Sequence, residues 1–192
     1  MTGIFESHAH YEDEAFDEDR DVLLKSLPEN GIKYVVDVGS SIDTCHKIIE
    51  LIPKWDYMYG ALGIHPEEIR TVTDEDMEWL RKEAAANGKI VAIGEIGLDY
   101  YWDKDNKAQQ KEFFERQLVL AKELKKPVIV HSREAALDTY EVIKASADRD
   151  NSGVIHCFSY SKEEAKKYLD MGFYIGIGGV LTFKKAAKIR EV

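Results

Sequence analysis

The sequence predicts an α/β protein of the TIM-type (β/α)8 barrel class, and three observations carry that prediction. Short apolar runs alternate with helix-patterned segments through seven units, which indicates βαβ connections and a parallel sheet. The apolar runs do not alternate with polar residues, as expected of strands covered on both faces. Most of them end in a chemistry-bearing residue, and a barrel builds its site at the C-terminal ends of its strands. The rival doubly wound sheet would need a GxGxxG after the first strand for dinucleotide binding, and none is present.

Each element is read from its own signals. Gly3–Ser7 reads as the first strand and leads to His8 and His10, which point to one side of an extended backbone. Asp17–Leu27 has helical spacing and Pro28–Gly31 closes it. Lys33–Val38 is the second strand, with Val35 and Val36 buried, and Asp43–Ile52 is a helix stopped by Pro53. Met58–Ile64 is the third strand, leading to His65. Thr73 or Asp74 caps a helix that runs through Ala86 and ends at Asn87-Gly88. Lys89–Ile93 is the fourth strand and carries Glu95 out of its end. The longest helix spans Lys104–Leu124, with Phe113, Phe114, Leu118 and Ala121 on its apolar face. Pro127–Val130 leads to His131 and a helix over Arg133–Ala147, with a loop from Asp148 to Gly153. Val154–His156 is the sixth strand, Lys162–Met171 a helix, Tyr174–Ile177 the seventh strand, and Phe183–Val192 the start of a further helix.

Length and composition bound the answer. A chain of 192 residues, 44% hydrophobic and 32% charged, suits one globular domain over 1–192. Eight strand–helix units usually need about 250 residues, so the reading is a barrel lacking its last strand and helix. No run approaches the roughly 20 apolar residues of a membrane span, so no membrane partner is expected. Cys45 and Cys157 are too few for a disulfide framework, which suits a reducing cytoplasm. The net charge of −10 argues against electrostatic wrapping of nucleic acid. It leaves room for an enzyme that touches one phosphodiester, because bound cations supply local positive charge. The acidic run Glu12–Asp21 reads as a solvated loop and helix start.

The strand ends hold the chemistry. His8 and His10, His65, Glu95, His131 and His156 all follow apolar runs, so a barrel brings them to one mouth. A lone strand histidine is most often a packed core or turn residue, but five at successive strand ends with one carboxylate make a metal site. Imidazoles and carboxylates suit Zn2+, Mn2+ or, less well, Mg2+. A carboxylate between two sets of histidines can bridge two ions about 4 Å apart. Asp99 is an orienter of Glu95, a ligand or a loop cap. Tyr100, Tyr101 and Trp102 either stack on a base or pack the mouth as an aromatic lid. His46 is read as surface and Cys157 as packing.

The segments FESHAHY, GIHPEE, GEIGLDYYWD with KAQQKEFFERQLVLAKELKKPVIVHSRE, GVIHCFSYS and GFYIGIGGVLTFKKA resemble the signatures of the TatD family of metal-dependent hydrolases over essentially the whole chain. The resemblance implies an amidohydrolase-like barrel with one or two divalent metals, and cytoplasmic phosphodiester hydrolysis of DNA, with 3'-to-5' exonuclease action in some members. By position it implies His8, His10, Glu95, His131 and His156 as metal ligands, and His65 and Arg133 as residues that hold a phosphate oxygen. Arg suits that role because its fork matches phosphate geometry. Glu6 stands where the family often has Asp, and no segment matches the family's eighth-strand Glu-Thr-Asp. The expected activity is therefore a two-metal deoxyribonuclease. Two other readings stay open: hydrolysis of a different ester, a lactone or an amide on the same barrel, and a catalytically impaired metal-binding barrel.

Overall fold

A computed structural model of the chain describes residues 3–146 and 152–192. Seven parallel strands form one curled sheet in sequence order, β1 (Ile4–Ala9), β2 (Ile32–Val38), β3 (Met58–Leu62), β4 (Ile90–Asp99), β5 (Val128–Arg133), β6 (Gly153–Ile155) and β7 (Tyr174–Ile175). The intervening helices are α1 (Arg20–Ser26), α2 (Ile42–Leu51), α3 (Asp74–Ala86), α4 (Lys107–Leu124), α5 (Ala136–Ser146) and α6 (Lys162–Asp170), with α7 (Ala187–Arg190) after β7. β1 and β7 are the two edges. This is the predicted barrel architecture in seven units, a curled half-barrel flanked by helices.

The helices lie outside because their apolar faces pair with one face of each strand. Leu24, Ile48, Ile52, Leu80, Phe114 and Ile143 join Val35, Met58, Leu62 and Ile90 in the main core. The opposite strand face builds a second, smaller layer from Val36, Val38, Ala61, Ala92 and Ile129. Alternation along β2 sorts its residues accordingly: Tyr34, Val36 and Val38 face inward, and Val35 and Asp37 face outward. α2, α3 and α6 each start with a capping box, on Ser41, Thr73 and Ser161.

Several boundaries differ from the sequence expectation. β1 extends through His8 to Ala9. Helix α1 begins only at Arg20, after a short 3-10 turn at Glu14–Phe16. The last segment folds as a 3-10 turn, Gly179–Thr182, and one helical turn rather than a continuous helix. Ala147 and the start of the loop at Asp148 lie outside the described residues. The largest difference is β4, which runs through Glu95 to Asp99 instead of stopping at Ile93. Gly94 and Gly97, past the expected strand end, are contact points. A Cβ on Gly94 would press on Ile129, and one on Gly97, whose φ is +143°, would collide with the His131 carbonyl. Glycine lets β4 and β5 approach through the turn-like stretch and keep pairing beyond it.

Helix α4 fastens the sheet in a way the apolar pattern does not show. Gln110 and Gln117 are seven apart, so they share a face. Both are buried. Gln117 accepts a hydrogen bond from the Ile64 N–H (2.8 Å) and donates to the Ile64 carbonyl (3.0 Å). Gln110 does the same for Asp99, at 2.9 and 3.0 Å. Each amide acts as a strand partner for main chain bordering the site. Gln117→Leu is expected to leave the Ile64 N–H and carbonyl buried without partners and to lower stability by about 2–4 kcal/mol. Denaturant unfolding at constant m-value checks this, and a loss below about 0.5 kcal/mol would show that the pairing is dispensable.

Candidate metal centre

Glu95 is the centre of the site. It lies at the irregularity in the β4–β5 ladder, where Ile93 pairs with Val128 but Ile96 pairs with Val130. The bulged strand holds two residues against one of its partner and re-aims Glu95. Its carboxylate is buried, and its two oxygens face different imidazoles. Oε2 lies 3.4 Å from His8 Nε2 and 3.9 Å from His10 Nε2, and Oε1 lies 3.1 Å from His131 Nδ1. Burial alone would raise this carboxyl; hydrogen bonding to His131 and His8 outweighs it and holds Glu95 well below the ordinary carboxylate range.

The His-x-His pair comes from the end of β1. The Nε2 atoms of His8 and His10 stand 2.9 Å apart beside Glu95 Oε2. His156 follows β6 and stacks on the His8 ring at 3.4 Å between centroids. Burial, with His8 adding to it, lowers His156 to about 3, so it is a neutral imidazole near pH 7. His65, after β3, packs against the His131 ring with centroids 4.3 Å apart, and burial lowers it to about 4. Ligand-type atoms within 4.8 Å of one another form the sets His8–His10–Glu95, His65–Glu95–His131 and His65–Glu67–Asp99. His156 joins none of these sets; its ring stands behind His8. Two facing imidazole nitrogens beside a carboxylate oxygen make a donor set that suits a borderline divalent cation such as Zn2+ or Mn2+.

The groups behind the ligands are only partly those the sequence suggested. Asp99 orients His131 rather than Glu95: its Oδ2 lies 2.9 Å from His131 Nε2. Its Oδ1 accepts hydrogen bonds from the Tyr101 and Trp102 N–H groups, both at 2.9 Å, so it is also the loop cap. Burial would lower His131, but Asp99 and Glu95 raise it to about 9. Arg133 stands on the rim, two residues beyond His131 on β5, with its guanidinium over the Tyr101 ring. Of the three aromatics, Tyr100 is buried, with its hydroxyl 2.8 Å from Asp138, whereas Tyr101 and Trp102 are exposed.

Glu12 corrects the reading of the acidic run. It is buried, and its Oε1 lies 3.5 Å from His10 Nδ1. Behind it sits Asp37, fully buried on the outer face of β2, with Oδ1 accepting from the Tyr11 N–H at 2.7 Å. Among the described residues, Glu12 Oε2 and Asp37 Oδ2 have no hydrogen-bond partner. A charged residue on a strand face turned to the core was the available signal for Asp37.

With this geometry in place, similarity to known proteins decides the family. The family described as TatD related DNase matches residues 5–192. The chain belongs to the TatD-related DNase family. It is 40% identical to the "uncharacterized metal-dependent hydrolase YabD" of Bacillus subtilis, over 98% of the chain and 74% of that protein. It is 32% identical to the "3'-5' ssDNA/RNA exonuclease TatD" of Cronobacter sakazakii, over 85% of the chain and 62% of that protein. Among solved structures, the TatD homologue YjjV of Escherichia coli K12 superposes with a TM-score of 0.91 at 28% identity, over 98% of the chain and 73% of that structure. No helix among the described residues is long and apolar enough to cross a membrane.

Proposed function

We propose that this TatD-family chain is a divalent-metal-dependent phosphodiesterase that shortens DNA from an end and holds two ions. The observation that carries the reading is the split of Glu95, with one oxygen toward His8 and His10 and the other toward His131. A carboxylate placed in this way would let two ions be held at one site. Divalent ions bound there would polarise the phosphate and activate water. The name of the Cronobacter relative supports a nucleic-acid substrate.

The chain's own residues have separable tasks in this reading. His8, His10, Glu95 and His131 would hold the ions, with His156 as a further ligand beside the His8 ring it stacks on, and Asp99 keeps the His131 ring in place. His65 is neutral near pH 7 and its N–H would donate one hydrogen bond to a phosphate oxygen. Arg133 presents a planar fork of donors to the same group. The free thiols Cys45 and Cys157 suit the cytoplasm.

The test compares substrates in one preparation. With Mn2+, a 5'-labelled single-stranded oligonucleotide is expected to shorten stepwise, and chelator is expected to stop it. A lactone and an amide of similar size are expected to turn over at least about 100-fold more slowly. Hydrolysis of the lactone or amide with an intact oligonucleotide would overturn the reading.

A further inference from the structure

The metal centre has two unlike flanks. On one side a cleft of about 510 Å3 is lined by Glu12, Asp13, Glu67 and Glu68 with His10 and His65. Next to it, the loop after β4 raises Tyr101 and Trp102 beside Arg133 on β5. Tyr101 is 47% exposed and Trp102 63% exposed. Their rings meet edge to face at 4.8 Å, and the Arg133 guanidinium lies 4.1 Å from the Tyr101 centroid and 5.5 Å from that of Trp102. At this exposure the two rings are open to a ligand at the mouth.

The pair is also held still. Asp99 Oδ1 binds both of their N–H groups, and the Asp99 Oδ2 contact reaches His131 Nε2. The other end of the loop is pinned by Arg70 on the Asp103 carboxylate at 2.7 Å and by Gln110 on the Asp103 carbonyl at 3.0 Å. One carboxylate therefore ties the aromatic platform to an imidazole of the metal centre. Arg133 has no ion-pair partner among the described residues; it lies against ring faces, so the N–H edge of its fork is left for an anion.

We infer that Tyr101, Trp102 and Arg133 form a nucleotide clamp, in which the terminal nucleobase stacks on the exposed Trp102 ring, Tyr101 buttresses that ring edge to face and carries Arg133 on its own face, and Arg133 binds the phosphate beside the base. The inference rests on the phosphodiesterase reading and deepens it by naming the specificity group. Arg133 is the cation beside the aromatic pair, so the phosphate of a bound nucleotide is received there. Trp102 and Tyr101 are then positioning residues for substrate, outside the group that holds the ions.

Binding of 2'-deoxyadenosine 5'-monophosphate and of 2-deoxyribose 5-phosphate, measured by calorimetry with tryptophan fluorescence followed alongside, tests the clamp. Wild type is expected to be quenched by the nucleotide and to bind it about tenfold more tightly than the sugar phosphate. Trp102→Ala is expected to lose both the quenching and the tenfold preference, and Trp102→Phe to keep the preference. On a single-stranded oligonucleotide with Mn2+, Trp102→Ala is expected to raise KM about tenfold with kcat within about twofold. Equal binding of the two ligands by wild type, or an unchanged preference in Trp102→Ala, would overturn the clamp while oligonucleotide cleavage upheld the phosphodiesterase. Loss of the preference in Trp102→Ala in a chain that cleaves no oligonucleotide would uphold the clamp and overturn the phosphodiesterase.

Discussion

Glu95→Gln is expected to lower kcat/KM for the metal-stimulated reaction on the order of 10^3-fold or more, and to weaken Mn2+ binding at least about 10–100-fold. The substitution keeps size and packing, so the cost is electronic and directional. Glu95 presents an oxygen to His8 and His10 at one end and an oxygen to His131 at the other. A glutamine side chain has one oxygen and one NH2. Whichever way it turns, one imidazole set faces a donor where it faced an acceptor, and the net negative charge between the sets is gone. Calorimetric titration with Mn2+, turnover at saturating Mn2+ and a circular dichroism spectrum form the measurement. A variant that turns over like wild type when saturated would show that Glu95 is a structural carboxylate and that the ions are held elsewhere.

The split of Glu95 was only half legible in the sequence. That a carboxylate and five histidines meet at one mouth follows from where the apolar runs stop, because parallel strands in sequence order deliver their ends to one side. Which oxygen meets which ring depends on the β4–β5 irregularity, and nothing in VAIGEIGLDYY marks it. The apolar run stops at Ile93, so Gly94 and Gly97 lie past the expected strand end. Their lack of a Cβ instead lets β4 pass close to β5 and continue to Asp99. The same extension brings Asp99 to His131 and not to Glu95.

Other misses have a common physical origin. Periodicity reports which face a residue occupies, not what it finds there. Gln110 and Gln117 sit within the apolar stripe of α4, where their amides replace strand partners for Asp99 and Ile64. Glu12 belongs by composition to a solvated acidic run, yet the turn after His10 carries it inward. Tyr100 and Tyr101 are neighbours of one chemical type. One fills the core and the other the rim, because successive residues point to opposite sides as the chain leaves β4.

Asp37 supplies the second large expected effect, on stability rather than turnover. Burial and the nearby Glu12 carboxylate push its carboxyl up from an ordinary 3.8 to about 7, against the opposing hydrogen bond from the Tyr11 N–H. A carboxyl raised in the folded state binds its proton more tightly there than in the unfolded chain. Its contribution is therefore fully present below pH 4 and is lost as pH rises toward 7 and above. For the metal-free protein the loss between pH 4 and pH 8 is on the order of a few kcal/mol. Asp37→Asn removes the titration and offers an NH2 to the unpartnered Glu12 Oε2. The variant is expected to melt about 5–10 °C above wild type at pH 8, with a much smaller advantage at pH 5. Parallel melting curves for the two proteins across that range would show that the Glu12–Asp37 pair does not take up a proton in the folded state. The expected divergence would mean that this chain tolerates a buried charge beside Glu12, whose other oxygen faces His10 Nδ1 at 3.5 Å. Loss of Mn2+ affinity in the same variant would then measure how far Asp37 acts on His10 through Glu12.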